Sequence, residues 1–343
     1  MNEILTPPRV LITGAGGPSA LSVLKAISHL DLDVFVADAD HLAAGLFWVA
    51  PDRRILLPRG DDPAFASTVL RHCRRHQIDV LVPTVDAELE ALAKHRRRFV
   101  DAGVRLVLAD DEPLARCLDK YRLAEWCREH TCVPETRVFV SHMGASGMTF
   151  PLVVKPRRGS GSRGVRIVES PGALARLTPS KDLLLQEYLP GPEYSVDVLL
   201  TPFGEVLATV PRERLKVDSG VAVASRTLHS EELQSAARCV VQVLRLSHVV
   251  NVQFRRNTRG EMALLEVNAR VPGTMPLTVE AGVNMPAFAI LQVLGRPLPS
   301  KVADFRELGV VRHLVERFVD VDALLPLSER ETLPPGVTHG AAE

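Results

Sequence analysis

The chain has 343 residues, and 41 Lys and Arg balance 41 Asp and Glu, so its formal charge is zero. A neutral chain gives no electrostatic reason to expect nucleic acid or an anionic membrane as a partner. No run approaches the roughly 18 apolar residues of a membrane span, and no signal peptide opens the sequence. Five cysteines without a CxxC pair argue against a disulfide framework. We therefore expect a cytoplasmic protein with reduced thiols.

The first 111 residues alternate predicted strands with helical segments. Strands are predicted at residues 9–16, 33–40, 79–86 and 105–110, and a helix at residues 19–30. This alternation indicates a parallel sheet with ligand loops at the carboxyl ends of its strands. Asp86 and Glu88 follow the third predicted strand, where their carboxylates could face an interdomain cleft and bind a substrate ammonium group. Asp86 could instead cap the helix that follows.

The turn after the first strand partly matches a dinucleotide-binding fingerprint. Gly14, Gly16 and Ser19 give G-x-G-x-x-S, and Asp38 follows the next strand as the acid of an NAD site would. The same glycines could let the backbone approach a substrate group or the next domain. A single glycine-rich turn is weak evidence, and we expect NAD not to bind.

The second region, residues 112–190, combines a helix with a glycine-rich hairpin. One long amphipathic helix is predicted over residues 111–130 and carries Lys120. Residues 150–170 read as two strands joined by a GSGSRG turn, whose backbone N–H groups could close over phosphate oxygens. Lys155 precedes this turn, where an ammonium group could neutralise a phosphate. An ordinary hairpin with a mobile tip is the alternative.

The third region opens with an apolar strand that ends at the turn Pro190-Gly191-Pro192. Backbone groups of residues 187–189 could read the edge of an adenine, and Glu193 could accept hydrogen bonds from ribose hydroxyls. Antiparallel strands are predicted at residues 195–200 and 205–215.

Three basic residues alternate along the second of these strands and its end: Arg212, Arg214 and Lys216. Such a row suits the gripping of a carboxylate or a phosphate. A solvated edge strand guarded by charges is an equally good interpretation.

The most informative pattern lies in LLEVNARVPGT, residues 264–274. Glu266 and Asn268 alternate on a predicted strand, so both side chains leave one face. Gln253 lies in another predicted strand and reaches that face if the two strands pair. One carboxylate and two amide oxygens suit Mg²⁺ held between protein and nucleotide phosphates. Arg270 has the same parity and could brace a terminal phosphate, whereas a solvated strand end is the alternative.

Taken in order over residues 9–320, these motifs resemble the ATP-grasp superfamily, and most of all the ATP-binding halves of the carbamoyl phosphate synthetase large subunit. Their joint occurrence is more specific than any one motif. The resemblance implies an α/β fold built of α+β modules, that is, an ATP-grasp fold with an N-terminal parallel-sheet pre-ATP-grasp domain. The implied units are that domain at residues 1–111, a small lid subdomain with a linking helix at 112–190, a C-terminal subdomain at 191–320, and a flexible tail at 321–343.

The resemblance also implies roles for individual residues. The phosphates would be contacted by Lys120, Lys155 and the lid residues Ser160, Gly161, Ser162 and Gly164. The adenine strand would be Gln186, Glu187, Tyr188 and Leu189, with Glu193 at the ribose. The magnesium ligands would be Gln253, Glu266 and Asn268, with Arg270 and Lys155 acting on the transferred phosphate. For the substrate we keep Arg212, Arg214, Lys216, Asp86, Glu88, Gly273 and Thr274.

The activity that the resemblance implies is ATP-dependent carboxylate–amine ligation with Mg²⁺, through an acyl phosphate and with release of ADP and phosphate. Amino acids are the expected substrates, and a homodimer is considered. One ATP-grasp module without a glutaminase domain predicts that carbamoyl phosphate is not the product. A phosphotransferase or carboxylase of the same fold and a non-catalytic nucleotide sensor are the alternatives. Ala269 replaces the proline of many relatives without changing the strand parity.

Overall fold

The computed structural model describes residues 6–159, 161–299 and 302–324. Its strands are β1 (Arg9–Thr13), β2 (Asp33–Asp38), β3 (Arg54–Leu56), β4 (Val80–Val82), β5 (Arg105–Leu106), β6 (Thr136–Val138), β7 (Leu152–Pro156), β8 (Arg166–Val168), β9 (Leu183–Glu187), β10 (Glu193–Leu200), β11 (Val206–Asp218), β12 (Val221–Thr227), β13 (Val249–Arg256), β14 (Met262–Asn268) and β15 (Gly309–Val311). Its helices are α1 (Pro18–Ile27), α2 (Phe65–Arg75), α3 (Asp86–Lys94), α4 (Arg96–Val100), α5 (Asp111–Leu118), α6 (Lys120–Cys127), α7 (Pro171–Leu174), α8 (Glu231–Leu244), α9 (Met275–Glu280) and α10 (Met285–Val293).

The first sheet is parallel, with the strand order β3-β2-β1-β4-β5, which confirms the predicted N-terminal sheet. The residues of β1 from Val10 to Ile12 are fully buried, as expected for a strand covered on both faces. Strand β3 was not predicted, because three residues are too short to show a period. The carboxyl ends of β1 and β4 carry the loops that reach the functional site.

Residues 111–130 do not form the single helix predicted from the sequence. Helix α5 ends at Leu118 and α6 begins at Lys120, with Asp119 extended between them (φ −115°, ψ 101°). The Asp119 carboxylate accepts hydrogen bonds from the backbone N–H groups of Tyr121 and Arg122, so it caps α6. The break places Lys120 in the first turn of a new helix.

The second and third sheets are built from antiparallel pairs and contain the later motifs. The second has the order β6-β9-β7-β8, and the third the order β14-β13-β10-β11-β12-β15. The glycine-rich turn joins β7 to β8, and these strands pair as predicted. Strands β13 and β14 also pair, with Gln253 opposite Glu266. This confirms that both residues lie side by side on neighbouring strands.

The N-terminal sheet is joined to the third sheet through α1. Val23 of α1 and Met285 of α10 belong to one buried apolar cluster. Asn284 donates a hydrogen bond from Nδ2 to the carbonyl of Ala26 (2.7 Å), and Ser22 donates one to the carbonyl of Gly273 (3.1 Å). The loop after β1 is thereby fixed against the loop after β14.

Within the described part of the chain, no helix has both the length and the apolar character that a membrane crossing requires. Of the predicted tail, residues 321–324 form a short 3-10 helix, and residues 325–343 lie outside the described ranges.

Candidate functional site

A cavity of about 220 Å³ lies between the second and third sheets. Most of the predicted nucleotide residues line it, and the structure brings together Lys120, Lys155, Gly161, Ser162, Gln186, Glu187, Tyr188, Leu189, Glu193, Gln253 and Glu266. Gly164 belongs to the same turn but does not line the cavity, and its backbone has φ +75°. Ser160 lies outside the described residues.

Two lysines give one end of this cavity a positive charge. Lys155 is only 7% exposed. Burial is the main cause that lowers the pKa of Lys155 to about 8, and the neighbouring Lys120 adds to this effect. Lys120 donates to the Gly159 carbonyl, and its Nζ lies 3.9 Å from Glu266 Oε2. A buried ammonium beside a second one is a site that an anion would stabilise.

The cavity also has an apolar lining, formed by Val153, Val165, Ile167, Leu189 and Leu265. Of these residues only Leu189 was predicted from the sequence. Val153 and Ile167 lie directly opposite each other on β7 and β8, and this register was the signal that could have found them. Gln186 donates its amide to Thr136 Oγ1 (2.8 Å). A slot of this kind fits a flat ring.

Three oxygen-bearing side chains, Gln253, Glu266 and Asn268, lie together close to Lys120. Asn268 donates from Nδ2 to Glu266 Oε1 (3.2 Å), and Gln253 lies opposite Glu266 in the pairing of β13 with β14. Among the described residues no group of three or more His, Cys, Asp or Glu could hold a metal ion. One carboxylate and two amides match a hard cation that takes its other ligands from phosphate and water.

A second cavity of about 870 Å³ adjoins the first. The two share the lining residues Gly161, Ser162, Arg163, Arg214, Gly220, Gln253 and Glu266. The second is also lined by Gly17, Ser19, Thr84, Asp86, Asn251, Asn268, Arg270, Gly273 and Thr274. Gln253 and Glu266 therefore stand at the junction of the two cavities, and Asn268, Gly273 and Thr274 line the second.

Arg270 and Asp86 form a bidentate ion pair beside this junction. Arg270 donates from Nε and Nη2 to the two Asp86 oxygens, at 2.7 and 2.9 Å. Burial disfavours the charged guanidinium, but the Asp86 carboxylate outweighs it and the pKa of Arg270 is raised. Helix α3 begins at Asp86, and Val85 holds the cap position. Asp86 thus faces the cavity with its charge already balanced.

Only one member of the predicted basic row reaches the cavities. Arg214 lines both and lies 2.8 Å from Glu193 through its Nε. Arg212 is fully buried in a pair with Asp197, and Lys216 is exposed. The prediction that the three share a substrate-facing side is wrong. Asp197 encloses Arg212, and the pairing of β11 with β12 shifts register between Arg214 and Lys216.

Glu88 also differs from its predicted place. It is 6% exposed, accepts a hydrogen bond from Thr13 Oγ1, and lines neither of the two cavities. The prediction that it faces the cleft is wrong, because α3 turns this side chain toward β1. Burial raises the pKa of Glu88 to about 7, with a smaller contribution from Asp38.

We expect Glu88 to make stability depend on pH. Its pKa of about 7 in the folded chain lies above the ordinary glutamate value of 4.5, so the folded state binds more protons between these values. The free energy of unfolding should therefore decrease as pH rises from about 4.5 to about 7, then level off. Urea unfolding of Glu88→Gln should lack this decrease. Glu90→Gln, on the same helix, should retain it, and equal slopes in the two variants would contradict the assignment.

The turn after β1 does not present a free acid to a dinucleotide. Asp38 accepts hydrogen bonds from the backbone N–H groups of Gly16 (2.7 Å) and Asp40 (3.0 Å). Gly17 and Ser19 line the second cavity instead. This arrangement favours the alternative that the glycines let the backbone approach a substrate and the next domain.

Comparison with known proteins agrees with this geometry. Residues 179–315 match a family model described as ATP-grasp in the biosynthetic pathway with Ter operon. Residues 10–107 match a model of the PylC-like N-terminal domain. Residues 179–315 are thus similar to an ATP-grasp domain and residues 10–107 to a PylC-like N-terminal domain, which confirms the predicted resemblance.

Three relatives illustrate the range of similar proteins. The arginine-specific large chain of carbamoyl phosphate synthase from Oryza sativa subsp. japonica is 28% identical over 204 residues, which are 54% of this chain and 17% of that one. D-alanine–D-alanine ligase from Aquifex aeolicus is 26% identical over 162 residues, which are 43% of this chain and 55% of that one. The crystal structure of L-amino acid ligase from Bacillus licheniformis has a TM-score of 0.68, with 18% identity, and covers 89% of this chain and 79% of that chain.

The last likeness concerns the fold alone. The chain also spans 17% of the length of the rice synthase and about half that of the Aquifex ligase. Its own activity therefore has to be argued from its site.

Proposed function

We propose that the protein is an ATP-dependent carboxylate–amine ligase that activates a carboxylate as an acyl phosphate and releases ADP and phosphate. The observation that carries this proposal is the junction of two cavities at Gln253 and Glu266. A lysine-bearing chamber with an apolar slot fits ATP, and an arginine-bearing chamber fits a second anion. ATP and the second anion would then meet at the junction of the two cavities, as phosphoryl transfer between them requires.

The first chamber supports ATP through complementary chemistry. The apolar slot would hold the adenine ring. The strand Gln186–Leu189 would contact the edge of the adenine, and Glu193 would bind the ribose. Lys155 and Lys120 would contact the phosphates through charge-assisted hydrogen bonds. Gln253, Glu266 and Asn268 would hold Mg²⁺, which neutralises phosphate charge when bound.

The second chamber supports an anionic acceptor. Arg270 and Arg214 would offset the repulsion between the carboxylate being activated and the γ-phosphate of ATP. Asp86 holds Arg270 in place by a bidentate pair, so its position is set before a substrate arrives. Amino acids are the proposed substrates, and the D-alanine–D-alanine ligase relative supports this choice. A homodimer remains a prediction.

The loop at Gly161 would close over both chambers and exclude water from the acyl phosphate. Its contact is Gly220 in the turn between β11 and β12, where a Cβ would lie 2.6 Å from Gly161 Cα. We also propose that each of the three sheets belongs to its own domain, with the predicted bounds 1–111, 112–190 and 191–320.

The Gly220→Ala variant should displace this loop, because neither backbone can yield without moving the turn or the lid. We expect turnover to fall by about 10- to 100-fold and ADP formation without a product amide to rise. Gly260→Ala is the matched control, since Gly260 also has a positive φ (+81°) but nothing lies within 4 Å of its Cβ position. Equal turnover in the two variants would argue against the lid contact.

The proposal is tested by ³¹P NMR of the protein with Mg-ATP, with and without a pool of amino acids. ADP and inorganic phosphate that form only with the pool support the ligase, and division of the pool then identifies the substrates. AMP and pyrophosphate would mean adenylation and would overturn the mechanism. Unchanged ATP with every amino acid would overturn the proposed substrate class.

A further inference from the structure

A buried run of polar side chains leads from the centre of the third sheet to the junction of the cavities. Arg212 donates from Nε and Nη2 to the two oxygens of Asp197, at 2.9 and 2.8 Å. Asn251 donates from Nδ2 to Asp197 Oδ1 (2.7 Å), and Gln253 donates from Nε2 to Asn251 Oδ1 (3.2 Å). We call these four residues the buried relay. They lie on the neighbouring strands β11, β10 and β13.

The relay fixes which way each amide points. The two ends of an Asn or Gln amide have nearly the same shape, so hydrogen-bond partners decide its orientation. A carboxylate clamped by a guanidinium only accepts, and Asn251 must therefore turn its NH₂ group toward Asp197. The carbonyl of Asn251 then faces Gln253, which must donate to it. The carbonyl oxygen of Gln253 is therefore the end of its amide that is left to point toward the junction of the two cavities.

Stability alone gives little reason for this arrangement. Asp197 and Arg212 are fully buried, and apolar side chains of similar volume are often as stabilising as a buried ion pair. Among the described residues, Arg212 Nη1 is buried without a hydrogen-bond partner, which is destabilising. Thr278 Oγ1 donates to Asp197 as well, so the carboxylate accepts four hydrogen bonds and stays fixed.

We propose that the buried relay is a positioning unit that turns the carbonyl oxygen of Gln253 toward the divalent cation. This inference rests on the proposed function. Arg212 thereby acts through the metal site rather than on a substrate. A ligand whose orientation is fixed in advance loses less conformational freedom when it binds its ion.

The test compares two variants that each remove one hydrogen bond to Asp197. Asn251→Leu breaks the relay, whereas Thr278→Val leaves Gln253 oriented. Calorimetry would measure the affinity for AMP-PNP, a non-hydrolysable ATP analogue, with Mn²⁺ and with EDTA. The Mn²⁺ gain is the ratio of the AMP-PNP affinity with Mn²⁺ to the affinity with EDTA. We expect Asn251→Leu to reduce this Mn²⁺ gain by about tenfold and to leave the affinity in EDTA unchanged. Thr278→Val should retain the wild-type gain, although it lowers the melting temperature.

A second substitution provides a rescue. Gln253→Glu replaces the amide by a carboxylate with two equivalent oxygens, so its orientation no longer matters. The double variant Asn251→Leu/Gln253→Glu should therefore recover the Mn²⁺ gain. If leucine prevents folding, Asn251→Ala carries the same prediction.

The outcomes separate the two levels of the proposal. An unchanged gain in Asn251→Leu, or an equal loss in Thr278→Val, would overturn the relay alone. Wild-type protein that shows no Mn²⁺ gain, or Glu266→Gln that keeps it, would overturn the metal site and the relay with it.

Discussion

Replacement of Lys155 by methionine should reduce nucleotide affinity by about 100-fold. The ammonium group is buried beside Lys120 and Glu266, and loss of one partner of a desolvated charge pair costs about 2–5 kcal/mol. Methionine keeps most of the volume of the side chain, so the fold should persist. Calorimetry with AMP-PNP would measure the change.

Lys181→Met is the matched control, because Lys181 is exposed and the same charge is lost.

The pH dependence of the nucleotide affinity adds a second readout. The pKa of Lys155 is about 8 in the free protein, so wild-type affinity should be constant below pH 8 and should fall above it. Lys155→Met should lack that decrease. A variant with wild-type affinity would reassign the lysine to a structural role.

Replacement of Glu266 by glutamine should lower kcat by about a thousandfold while the melting temperature stays within a few degrees. Glu266 is the only carboxylate of the three proposed magnesium ligands, and metal neutralisation of the transferred phosphate is worth several kcal/mol. The side chain lies at the edge of the cavity, so its volume and packing are little altered. Steady-state kinetics at saturating Mg-ATP would measure the loss.

Glu261→Gln supplies the control on the turn that precedes β14, where the carboxylate bonds to Asn257 and Arg259. It makes the same chemical change away from both cavities. Near-normal turnover of Glu266→Gln would remove Glu266 from the metal site.

The sequence predicted those features that depend on strand period. Glu266 and Asn268 share a face by parity alone, and Gln253 joins them because β13 and β14 pair with Gln253 opposite Glu266. Lys155 near the end of one strand and the glycine-rich turn between two strands were likewise placed correctly. These inferences use only local geometry, which tertiary contacts did not override.

Other features depend on contacts that no local pattern carries. Asp119 breaks the predicted helix because Arg157, 38 residues away, binds its carboxylate. Arg212 and Arg214 have the same parity, but Arg212 is enclosed by Asp197 on the neighbouring strand. The pairing of Asp86 with Arg270 spans 184 residues. Asn251 shares its parity with Gln253 in VVNVQF, and that signal could have revealed the relay.

In the proposed reaction, a substrate carboxylate takes up the γ-phosphoryl group of ATP in this site. The most direct measurement uses amino acids labelled with ¹⁸O in their carboxylates and follows the label by ³¹P NMR. Displacement of phosphate from an acyl phosphate by an amine carries one carboxylate oxygen into the released phosphate. We predict one ¹⁸O atom in each inorganic phosphate formed, together with ADP. Unlabelled phosphate, or ¹⁸O-labelled AMP with pyrophosphate, would contradict an acyl phosphate.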